Sequence, residues 1–185
     1  MEFFPRENVE FLTALGRFTV RFAAAETGLD VCNALIFHFC EGRTVEPKIP
    51  RFLERKLAFF STCQNRCTKL ATADPRFREL SAEIVREFTD IKNDRHFLIH
   101  GMADQILTTE RISLSKFRFS KAEIAQEEAM MSLDSIIKLG DRAWKLTKST
   151  LAYNIFLLRF APEDKLTQML SDPEIKQFFA GFPRS

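Results

Sequence analysis

Asn93-Asp94-Arg95-His96-Phe97-Leu98-Ile99-His100-Gly101 holds an arginine and two of the chain's 3 histidines in one short run. Histidine is the side chain that exchanges a proton near neutral pH without a perturbed pKa. Arginine stays charged, and its planar guanidinium fits the oxygens of a phosphate or carboxylate. The grouping therefore predicts proton transfer beside a bound oxyanion, with Arg95, His96 and His100 as catalytic candidates and Asn93 and Asp94 as substrate-binding candidates. The same residues admit a structural reading, in which Arg95 pairs with a core carboxylate, His96 caps or packs, and His100 closes a helix end.

Helical periodicity decides where this run sits. Phe77, Leu80, Ile84, Phe88 and Ile91 recur at steps of three and four, and the same steps lead on to Arg95 and Leu98. Arg95 thus falls on the face that packs against other helices, where an arginine needs an anionic partner. Glu26 and Asp30, on the first long helix, are the orienting carboxylate candidates, and a ligand phosphate is the alternative. His96 and His100 are four apart and share one side, roughly 100 to 140 degrees round from Arg95. Gly101 supplies the helix stop.

The elements around this helix follow from the same pattern. Phe11, Leu15, Phe18, Phe22, Ala25, Leu29, Cys32, Ile36 and Phe39 predict one long first helix, ended by Gly42 and the Pro47/Pro50 pair. A seam that long predicts a two-fold dimer. A second helix runs from about Arg51 with Leu53, Leu57, Phe60, Cys63, Cys67 and Leu70 on one side, and Asp74-Pro75 opens the third. Beyond Gly101, β-favouring pieces at 105–109, 111–119 and 123–131 predict a small hairpin or three-stranded flap, with a bulge or bend near Phe117 where the alternation slips. Ser132 and Asp134 open a last long helix with Leu133, Ile137, Gly140, Trp144, Thr147, Leu151 and Ile155 along one face, and short helices occupy about 161–182. The expected fold is all-α: a four-to-five-helix up-and-down bundle with a small β-hairpin insertion, about 102–131, after helix 3, in a single domain over 1–185.

Composition limits the setting. Lys plus Arg of 27 against Asp plus Glu of 25 leaves a net charge of +2, so bulk electrostatics require no nucleic-acid partner and any basic surface is local. Arg51, Arg55, Lys56, Arg66, Lys69, Arg76, Arg78 and Arg86 could line a phosphate track, although most are read as solvated faces, and the 20 phenylalanines, following core periodicity, form no stacking platform. The 4 cysteines are read as reduced core thiols of a cytoplasmic protein. Cys63 and Cys67 with Cys40 and His38 lack zinc-site spacing, so neither metal nor cofactor is expected. No run is long enough for a membrane span. Glycine-rich phosphate loops, Ser/His/Asp arrangements and paired-carboxylate spacings are absent.

The run Arg95-His96-Phe97-Leu98-Ile99-His100, with Gly101 after it, resembles the Arg-polar-x-x-x-His signature of the HEPN (higher eukaryotes and prokaryotes nucleotide-binding) superfamily. The helix order is similar too, from the long first helix to the motif near the end of the third. His96 stands where that family often has asparagine or aspartate. The resemblance implies a homodimeric helical bundle in which both copies of the motif share one basic cleft. It further implies a metal-independent endoribonuclease, set in a toxin–antitoxin or phage-defence system with a possible antitoxin partner. His100 would transfer protons, Arg95 would clamp phosphate, and His96 would orient one of them or act as a second acid/base. Other members are non-catalytic modules that bind a nucleotide or a protein partner, which is the alternative expectation.

Overall fold

The computed structural model describes the backbone of residues 9–100, 102–108, 111–119, 124–165 and 167, and the side chains of 9–98, 130–165 and 167. Five α-helices are seen among the described residues: α1 (Val9–Phe39), α2 (Leu53–Arg66), α3 (Thr68–Ala71), α4 (Pro75–His100) and α5 (Leu133–Leu157). Three strands, β1 (Met102–Thr108), β2 (Arg111–Phe119) and β3 (Ile124–Ser132), lie between α4 and α5. The fold is an all-α bundle with a β insertion after the motif-bearing helix. The chain divides into two compact units, one of 1–29 with 80–151 and one of 30–79 with 152–185.

In the first unit, Phe11, Phe18, Phe22, Ala25 and Leu29 of α1 are buried, as are Ile84, Phe88, Ile91 and Leu98 of α4. Phe22 meets Phe88 edge to face at 5.8 Å between ring centroids, the geometry favoured by the charge distribution of the rings. Gly28 of α1 lies so close to Thr150 of α5 that a Cβ there would stand 2.2 Å from Thr150 Oγ1. Only a residue without a side chain admits that approach. The α5 face departs from the expected one: Ile137, Trp144 and Ile155 are about half exposed, and the buried line is Ile136, Leu139, Ala143, Leu146 and Thr150. Two apolar lines run side by side along α5. The buried one carries the small and hydroxylated residues that allow close packing, whereas the large Trp144 lies outside it under the Arg21 guanidinium, 5.8 Å from its ring centre.

The β insertion is an antiparallel three-stranded meander in the order β1-β2-β3, one strand more than a hairpin. Where a bulge or bend was expected near Phe117, no bulge interrupts the pairing of β2 with β3, which runs from Arg111 opposite Ser132 to Phe119 opposite Ile124. The register instead shifts in β1, between Ala103 and Gln105 and between Ile106 and Thr108. An unbroken neighbour on the far side of β2 holds that strand regular, so the extra residues fall on the outer strand, where they leave fewer ladder bonds unmade.

In the second unit, Cys32, Ile36, Cys40, Phe60, Cys63, Cys67, Leu70 and Leu157 are fully buried. Tyr153 is buried with them, its hydroxyl donating to Gln64 Oε1 at 2.5 Å, so the one tyrosine brings its polar end inside only with a partner. The second helix ends earlier than its stripe predicts. Cys67 is extended (φ −82°, ψ 118°), and its carbonyl starts the short α3 by accepting from the Leu70 and Ala71 amides.

The turn after α1 also differs from expectation. Glu41, not Gly42, takes the left-handed conformation (φ 66°, ψ 15°). Gly42 is needed for space, because a Cβ there would lie 2.8 Å from Phe37 Cα and 2.9 Å from both the Ile36 carbonyl and the Phe59 ring. Glu41 is held in its costlier geometry by Thr44, whose amide and hydroxyl both donate to its carbonyl, at 2.9 and 2.7 Å. Its carboxylate in turn accepts from the Thr68 amide at 3.3 Å, which caps α3.

Candidate functional site

Arg95 lies where the α4 stripe predicts. Its side chain is 26% exposed, its Nη2 stands 3.6 Å from Glu26 Oε2, and its guanidinium carbon is 5.7 Å from the centre of the Phe22 ring. Phe22 and Glu26 are one turn apart on α1, so a single helix face offers Arg95 both an aromatic face and a carboxylate. At 3.6 Å the contact is an ion pair rather than a hydrogen bond. With both side chains partly in solvent it contributes on the order of 1 kcal/mol.

Asp30, the other orienting candidate, is engaged elsewhere, its Oδ1 pairing with Lys56 Nζ at 2.5 Å. Lys56 is anchored on that side, since its carbonyl also accepts from Asn33 Nδ2 at 3.2 Å. Of the two carboxylates, Glu26 is therefore the one set against Arg95. Both lie one helical turn apart on α1, and sequence alone could not distinguish them.

Asn93 and His96 are exposed on α4, and Asp94 is half-buried. Burial pushes the Asp94 carboxyl above the usual carboxylate range, and the nearby Arg142 charge opposes that shift. His100 is the last residue of α4; its side chain and Gly101 lie outside the described residues. On a regular helix five residues separate Arg95 from His100 by about 140 degrees, and four residues separate His96 from His100 by about 40 degrees. By that spacing, positions 96 and 100 share one side of a regular helix and position 95 lies on another.

One feature of α4 was not anticipated. Glu83, Glu87, Asp90 and Asp94 recur at steps of four, three and four, and α5 answers with Arg142 and Lys145. Arg142 Nε donates to Glu87 Oε2 at 3.1 Å, and its Nη2 reaches Asp90 Oδ2 at 3.5 Å. Lys145 Nζ donates to Glu83 Oε1 at 2.8 Å, and that bond raises the lysine's pKa. Asp94 continues this acidic line, so its local electrostatics are those of a clamp between α4 and α5. The acidic spacing was visible in the sequence; that its cations come from α5 depended on knowing which helix packs alongside.

Burial also sets the thiol chemistry. Cys32, Cys40, Cys63 and Cys67 are buried and unbridged. Burial raises all four pKa values, Cys40 to about 12 despite the Lys69 charge nearby. Among the described residues no three His, Cys, Asp or Glu side chains converge as metal ligands. No helix among the described residues is long and apolar enough to cross a membrane.

Comparison of the chain with protein-family models, with curated proteins and with solved structures finds no match.

Proposed function

We propose that this chain is a HEPN-like, metal-independent endoribonuclease that works as a homodimer. The observation that carries the reading is Arg95 held at the edge of a packed helix face by Glu26 and Phe22, five residues before His100 on the same helix. RNA contains its own nucleophile, so cleavage needs only proton transfer and charge stabilisation. The 2′-oxygen attacks phosphorus as its proton is removed, the bond to the 5′-oxygen breaks, and that oxygen takes up a proton. A 2′,3′-cyclic phosphate and a 5′-hydroxyl result. His100 moves the protons and Arg95 stabilises the charge that builds on the phosphoryl oxygens. His96, exposed and on the same side as His100, serves as orienting group or second acid/base, and a protein antitoxin is a fitting partner for such an activity.

The Glu26–Arg95 pair also favours a second reading. An arginine matched by a carboxylate and resting on a phenylalanine is how two helices are clamped, and a non-catalytic module binding a nucleotide or protein partner would need no more from it.

Cleavage assays separate the two. On the endoribonuclease reading, RNA is cut in EDTA to a 2′,3′-cyclic phosphate, and His100→Ala and Arg95→Ala each lower the rate by about two orders of magnitude or more. His96→Asn keeps the fold and part of the activity. DNA, or RNA carrying a 2′-O-methyl group at the cut site, is inert. If the dimeric wild-type protein cuts no RNA, or His100→Ala cuts as well as wild type, the binding-module reading replaces this one.

A further inference from the structure

The second unit carries a groove of about 610 Å³ between the 45–52 segment and the outer face of α2. Lys48, Arg51, Arg55 and Arg66 line it, and Glu46 is the single acidic residue among the lining side chains. The unit's other cations are mostly committed: Lys56 to Asp30, Lys69 to the Phe39 carbonyl, Arg76 to Asp74 and Arg43 to His38. The four groove cations are exposed and form no ion pair or side-chain hydrogen bond with a described residue. Their charge is left facing solvent.

Phe52, just before α2, stands among them and is 74% exposed, whereas Phe59 and Phe60 on α2 are buried. Reading every phenylalanine as core therefore fails at this position. An aromatic ring exposed beside several arginines is open to stacking, and a nucleobase is a ring that stacks on it while its phosphates meet the arginines. Arg55 and Arg66, separated by three turns of α2, are about 16 Å apart along the helix axis. That spread suits a chain of phosphates better than one small anion.

We propose that this groove is a docking surface for single-stranded RNA, with Lys48, Arg51, Arg55 and Arg66 meeting the phosphates and Phe52 stacking on a base. The choice of RNA over DNA rests on the endoribonuclease reading; the surface itself rests on charge and on the exposed ring. Single strands are favoured because a base must be unstacked to lie on Phe52.

The test measures binding apart from cleavage. A fluorescent single-stranded RNA, 2′-O-methylated at every position and therefore uncleavable, is titrated with the full chain at several salt concentrations. Arg55→Ala and Arg66→Ala should each weaken binding at least threefold and lower the slope of log affinity against log salt by about 0.7. Phe52→Ala should weaken it about fivefold or more. Lys138→Ala, which removes an exposed lysine paired with Asp134 on α5, should leave it unchanged. The substituted groove residues are exposed, and melting curves verify that each variant folds. Unchanged affinity in the two arginine variants and Phe52→Ala, absence of binding by the wild type, or displacement of the probe by poly-glutamate as readily as by RNA would overturn the proposal. Binding through the groove without RNA cleavage keeps the groove and removes the endoribonuclease reading. Cleavage that is unaltered by Arg55→Ala and Arg66→Ala does the reverse.

Discussion

Asp74 shows how much one side chain can set at the start of a helix. Its carboxylate accepts from the Arg76 amide at 2.9 Å and from the Arg76 guanidinium at 2.7 Å, and these bonds lower its pKa to about 2. A carboxyl whose folded pKa lies below its unfolded value adds stability above the unfolded pKa, and that stability is lost as pH falls toward the folded one. Asp74→Asn keeps an amide-capping oxygen but has no charge. The melting temperature of wild type should therefore exceed that of Asp74→Asn at pH 7, and the difference should shrink between pH 4 and pH 2; a difference independent of pH would count against the ionic cap. The cysteines give a second residue-scale prediction. With burial raising every thiol pKa, a chromogenic disulfide reagent at pH 7.5 should label none of the four within minutes in the folded protein and all of them after denaturation.

At the scale of elements, close approach is the sharpest constraint. Gly28→Ala gains about 1 kcal/mol of helix propensity, yet it places a Cβ against Thr150, which is itself fully buried. We expect a net loss of about 1–3 kcal/mol from overpacking, read from denaturant midpoints, and partial recovery in the Gly28→Ala/Thr150→Ala double variant because the two sites are coupled. The periodic stripes of α1, α2 and α4 were legible because each has one dominant apolar line, and the placement of Arg95 followed from the last of these. The α5 face was not, since it carries two competing lines and Trp144 drew the reading to the wrong one. The break at Cys67 left no trace in spacing, because α3 resumes the stripe at Leu70. Phe52 was hidden for a related reason: twenty phenylalanines look alike in a pattern, and only the folded groove sets Phe52 apart from its buried neighbours Phe59 and Phe60.

At the scale of the whole molecule, the buried face of α1 bears on assembly. Phe11, Phe18, Phe22, Ala25, Leu29, Cys32 and Ile36 are covered within the chain, so the length of the α1 seam no longer calls for a second copy. A dimer is instead part of the proposed function, whose shared cleft needs two copies. Sedimentation at micromolar concentration should give twice the mass of the chain, and a monomer would remove the paired cleft together with most of the catalytic case.

The division into two units also governs how the protein can be made. Each unit joins an early stretch of chain to a later one, and α5 serves both, with Ile136, Leu139, Ala143 and Leu146 in one core and Tyr153, Phe156 and Leu157 in the other. During synthesis Phe11, Phe18 and Phe22 of α1 emerge more than a hundred residues before α5. Neither core can close until α5 has emerged, so both assemble late relative to α1, from stretches far apart in sequence.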